Sequence, residues 1–122
     1  MTEIEYVAPV EGAEPVEFDH GAAAHAMAVL RFAGDMLGDH AHHTGVVRDA
    51  TVEHWTGRHR HEFERAHGLL ARAGTLALDR LHATRATILR AVRAANEEQA
   101  MRNRRQQERS AAAAGLPIPP GG

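Results

Sequence analysis

A chain of 122 residues, 43% hydrophobic and 25% charged, has room for one domain, and its net charge of −2 argues against a polyanion-binding protein. It contains no Cys, which excludes disulfides and thiolate metal sites, and no apolar run near the ~20 residues of a membrane span. All fourteen basic residues are Arg, a bias that weakens any argument from the mere number of Arg or His.

The charge is divided unevenly. Residues 1–57 carry Arg31 and Arg48 against ten acids, a net of −8, whereas residues 58–122 carry twelve Arg against six acids, a net of +6. Opposite halves of this kind favour antiparallel pairing, within one chain or between two. Each exposed pair contributes only about 0–1 kcal/mol, so the effect sets orientation more than stability.

In chain order, residues 1–17 hold Pro9, Pro15, Gly12 and five Glu with little periodicity, which predicts a flexible acidic arm. The start lacks an apolar h-region, so no Sec-type signal peptide is expected. Residues 18–109 are expected to form a helical hairpin. Asp19 suits an N-cap, and Ala23, Ala26, Leu30, Ala33, Leu37, Ala41 and Val47 recur at helical spacing, predicting a first helix over about residues 19–53. Gly34, Gly38 and Gly45 each cost about 1 kcal/mol relative to Ala, so irregularity is expected near 40–45.

His54-Trp55-Thr56-Gly57 interrupts the pattern, with a Gly able to take the positive φ of a reversal. After it, Phe63, Ala66, Leu70, Ala73, Ala77, Leu81, Ile88, Ala91 and Ala95 trace one face of a second helix over about residues 58–109. The rest, 110–122, with Pro117, Pro119, Pro120 and two terminal Gly, reads as a disordered tail.

The fold class expected is therefore all-α: an antiparallel two-helix hairpin turning at Trp55 and Gly57. Leu30, Leu37, Phe63, Leu70 and Ala77 are assigned to the seam within the chain. The apolar arcs are wider than one seam, because Val29, Phe32 and Met36 flank it on the first helix and Leu69 and Leu76 on the second. An arc that broad wants a second pair of helices, so these five residues are assigned to a partner interface in a four-helix-bundle dimer.

Two helices joined by Trp55-Thr56-Gly57, with Phe63 six positions beyond the Gly and no Cys, resemble the WXG family, the Esx-like substrates of type VII secretion in actinobacteria and Firmicutes. The resemblance covers about residues 18–101. It implies a hairpin that pairs as a homodimer or heterodimer, with another such hairpin or with an effector domain. It also implies engagement of the secretion machinery, with Trp55 and Gly57 as turn and recognition residues. The family's export signal, Tyr-x-x-x-Asp/Glu after the second helix, is absent: Ala94 stands four residues before Glu98, and Tyr6 is the only Tyr. Export would then need a signal from a partner chain, and a cytoplasmic companion of an exported protein is the other outcome.

Competing chemistry finds little support. His40 and His43 could share a helical face, but His61-Glu62 with His67 gives HExxxxH and not the HExxH of a helical zinc site, so no metal or cofactor is expected. Arg90, Arg93, Arg102, Arg104, Arg105 and Arg109 could hold phosphates, but no aromatic residues are interleaved with them, and a solvated helix face explains them better. Ser110 is the only Ser, and no Gly-rich loop follows a strand, so no catalytic site is expected. The second functional class is a cytoplasmic helical adaptor, including a nucleic-acid-associated one.

Overall fold

The computed structural model describes residues 5–115; of the tail predicted over 110–122, the Pro-rich part 116–122 lies outside them, as do residues 1–4. Among the described residues there are two helices and no strand: α1, His20–Val52, and α2, Arg58–Ala113. They form an antiparallel hairpin. At 1.5 Å per residue, the 33 residues of α1 span about 50 Å and the 56 of α2 about 84 Å.

The ends of both helices have local causes. Asp19 Oδ1 accepts the Ala22 amide at 2.9 Å, so Asp19 is the N-cap of α1. At its other end, the Trp55 amide donates to the Val52 carbonyl at 3.0 Å, and Gly57 takes φ +87° before its carbonyl receives the His61 amide at 3.3 Å. Beyond residue 109, Ala111, Ala112 and Ala113 continue α2, as the best helix formers should. It stops before Gly115, which has φ +71°.

Contrary to the expected irregularity, α1 runs unbroken through Gly34, Gly38 and Gly45. A Cβ at Gly34 would lie 3.7 Å from Leu78 Cδ1, an ordinary contact across the hairpin, whereas at Gly38 and Gly45 it would meet nothing within 4 Å. Gly38→Ala and Gly45→Ala are therefore expected to raise stability by up to about 1 kcal/mol each. By contrast, Gly57→Ala should lower it by about 1–2 kcal/mol, through its positive φ and not through crowding. Urea unfolding of the three variants checks both signs.

The chain divides into two compact units. In the first, residues 24–86, the two helices pair. Leu30, Ala33, Gly34 and Leu37 on α1 and Phe63, Ala77, Leu78 and Leu81 on α2 are half-buried. Val52, at 5% exposure, is its only buried apolar residue. In the second unit, residues 5–23 pack with 87–115, where Ala95 is the only buried apolar residue and Asn96, Gln99 and Asn103 are the buried polar ones.

Candidate interaction surfaces

The hairpin unit leaves many large apolar side chains uncovered. Val29, Phe32 and Met36, spaced three and four apart on α1, are half to two-thirds exposed, and so are Leu69 and Leu76, spaced seven apart on α2. Val46 and Val47 add to the exposed apolar surface of α1. Phe32, at 66%, is the most open of the Phe, Tyr and Trp rings among the described residues.

Of the five side chains assigned to the seam, Leu30, Leu37, Phe63 and Ala77 are half-buried. Leu70 is not: it is 69% exposed, and its place is with Leu69 on the outer surface. The reason lies in what faces it. The approach of Leu78 to Gly34 and of Glu64 to Arg48 sets a register that places Leu70 opposite His42. Around that level residues 38–43 and 69–73 are all exposed. The segment Gly38-Asp39-His40-Ala41-His42-His43 offers Leu70 no large apolar partner, a mismatch that heptad spacing on α2 alone does not reveal.

Trp55 and Gly57 sit at the hairpin tip. The Trp55 ring meets Phe63 edge-on, with centroids 5.4 Å apart and planes at 76°, and remains 42% exposed. Arg60 braces the turn, donating from Nη1 to the Trp55 carbonyl at 3.0 Å and from Nε to Glu64 Oε1 at 3.4 Å. Glu64 also faces Arg48 across the hairpin, at 4.0 Å. Trp55, Arg60 and Phe63, with His54, Thr56, His59 and Glu62, border a shallow open depression. Trp55→Ala removes the ring contact but none of the main-chain bonds, so a loss of about 1–2 kcal/mol is expected in thermal unfolding, with helix content unchanged.

A third surface has no counterpart in the sequence-based expectations. The segment read as a flexible acidic arm lies docked on α2. Asn96, Gln99 and Asn103 share one face, and each carboxamide brackets a short stretch of arm backbone. Asn96 accepts the Val7 amide at 3.1 Å and donates to the Glu5 carbonyl at 3.0 Å. Asn103 accepts from Val10 at 3.1 Å and donates to Ala8 at 2.9 Å. Gln99 accepts from Val16 at 2.9 Å, and its amide nitrogen lies 3.4 Å from the Glu14 carbonyl and 3.0 Å from Asn103 Oδ1.

The arm makes a U over this row. It runs outward from Asn96 to Asn103 and reverses at Val10–Ala13, closed by the Ala13 amide on the Val10 carbonyl at 3.0 Å. Gly12, with φ +83°, occupies the position of that turn that requires a positive φ. The arm then returns to Gln99, where Arg102 Nη1 donates to the Pro15 carbonyl at 3.1 Å. Val7, Val10, Ala13 and Val16 are half-buried and the residues between them exposed, a period of three suited to an extended chain. Tyr6 and Phe18 both meet the His20 ring edge-on, at 4.5 and 4.8 Å. The signal available in sequence was the spacing of Asn96, Gln99 and Asn103, three polar non-charged residues at i, i+3 and i+7.

The Arg-rich end of α2 is largely engaged within the chain. Arg102 pairs with Glu98 at 3.0 Å, Arg109 donates to Gln106 at 3.1 Å, and Arg90 donates to Thr87 at 3.1 Å. Among the described residues, no three His, Asp or Glu side chains converge as metal ligands, and neither helix is long and apolar enough to cross a membrane. Compared with known proteins, the chain matches no family model, no curated protein and no solved structure.

Proposed function

We propose that this protein works by association and not by chemistry, as an Esx-like hairpin of type VII secretion: a dimeric substrate, or the helical partner or carrier of a larger effector. The observation that carries the reading is the open apolar face Val29, Phe32, Met36, Leu69 and Leu76, joined by Leu70. Fully covering a side chain of this size is worth about 1.5–3 kcal/mol, so a partner that completes the burial of six recovers several kcal/mol. That is comparable with the whole stability of a small domain, commonly 5–15 kcal/mol.

Two further features support it. A two-helix layer with one buried apolar residue in its hairpin unit has little core of its own, and a second pair of helices supplies one. The Trp55–Gly57 tip leaves an aromatic ring partly open beside the turn, as the family resemblance implies for a recognition element. The bundle would form along the hairpin unit, residues 24–86.

Export by the type VII route, or retention in the cytoplasm beside an exported partner, both fit this role. Native mass spectrometry of the chain alone, and co-expressed with the products of neighbouring genes, tests it. A homodimer or a one-to-one complex with a helical partner is expected. A chain that stays monomeric under every condition, or that is recovered only with nucleic acid, would favour the adaptor reading instead.

A further inference from the structure

The geometry points to the carboxamide row of α2 as a docking track for extended polypeptide, and to the arm of a second copy of this chain as its occupant in the dimer. The inference rests on the pairing of copies proposed above. It adds that each copy completes a site on the other.

The track is built to read main chain. Asn96 and Asn103 are seven residues apart, about 10.5 Å along a helix. The stretches they bracket, Glu5–Val7 and Ala8–Val10, are offset by three residues, about 10 Å of extended chain. About two turns of helix therefore match one three-residue period of the arm. Asn96, Gln99 and Asn103 are the most buried polar side chains among the described residues, and none of these bonds involves an arm side chain. Charge agrees with the fit. Residues 5–19 carry five acids and no base, while residues 93–109 carry five Arg against Glu97, Glu98 and Glu108.

The hinge argues for exchange. Only Glu17, Phe18 and Asp19 separate the last docked residue, Val16, from the first residue of α1. They are folded into two successive three-residue turns, Phe18 amide to Val16 carbonyl at 2.9 Å and His20 amide to Phe18 carbonyl at 3.2 Å. Short hinges favour swapping, and opening this one costs no track contact once a neighbour's arm arrives. The same track bonds then form between copies, with Tyr6 meeting His20 of the second copy. Pairing through the apolar face supplies the high local concentration that exchange needs.

An equimolar mixture of isotope-labelled and unlabelled full-length chain, unfolded and refolded together, tests this by isotope-filtered NOE spectroscopy, with sedimentation giving the mass. Expected are intermolecular NOEs from Val7 and Val10 of labelled chains to Asn96 and Asn103 of unlabelled ones. Inserting four Gly/Ser residues between Phe18 and Asp19 should replace those NOEs with intramolecular ones. In N96A/N103A chains the dimer dissociation constant should rise about 10-fold or more. A dimer whose arm NOEs are wholly intramolecular overturns the exchange and leaves the pairing intact. A monomer with the arm docked at every concentration overturns both.

Discussion

Phe32→Asp is expected to convert a dimeric chain into monomers without unfolding the hairpin. The ring is 66% exposed, so in a free chain the substitution removes little packing. Covered by a partner, that position would bury an unpaired carboxylate. Such a change typically costs an interface 2–4 kcal/mol, a rise in dissociation constant of about 30- to 1,000-fold. Leu69→Asp should act in the same direction on the facing helix. Sedimentation equilibrium over a concentration series reads the first effect and far-ultraviolet circular dichroism the second. An unchanged mass with Phe32→Asp would remove this face from the interface. Leu70→Asp is the informative companion. Were Leu70 in the intrachain seam, as heptad spacing suggests, the change would unfold the hairpin. On the outer surface, where it is found, only association should suffer.

The second large effect concerns the arm. Amides of Val7, Val10 and Val16 donate to buried carboxamide oxygens, so all three should exchange with solvent far more slowly than their neighbours in a Pro-containing acidic segment. In the triple variant N96A/Q99A/N103A each bracket is lost on both sides, and partly buried backbone groups lose their partners, at about 1–3 kcal/mol apiece. The arm should detach, exchange at those amides should become fast, and thermal stability should fall by several degrees. Hydrogen exchange resolved by residue distinguishes this from general loosening, because amides in the middle of the hairpin unit should keep their protection. Fast exchange of Val10 in the unaltered chain would contradict the docked arm.

How far the fold was legible follows from which interactions carry it. The helices and their reversal are written in local terms, in the Asp19 cap, the 3–4 apolar spacing and the positive φ of Gly57, and all of these act within a few residues. Leu70 escaped that logic because its environment is set across the hairpin, by the polar stretch His40–His43 that its own helix does not show. The arm escaped it more completely. Its bonds join residues 83 to 95 positions apart, and the arm contributes to them only the groups that every residue carries. The arm's side chains hint at them only through the three-residue spacing of Val7, Val10, Ala13 and Val16. The partner side was visible as Asn96, Gln99 and Asn103 on one face. Such a row ordinarily reads as a solvated surface, and only burial shows otherwise.

The clasp made by these three amides also says which changes in the arm the molecule can absorb. Ala8, Pro9, Glu11, Glu14 and Pro15 point away from α2, so replacements there should pass almost unnoticed. Length is another matter. Deleting a single residue between Val7 and Val10 would put one bracket out of step with the other, and every N–H and C=O beyond it would arrive at the wrong place. The arm is tolerant of letters and intolerant of miscounting.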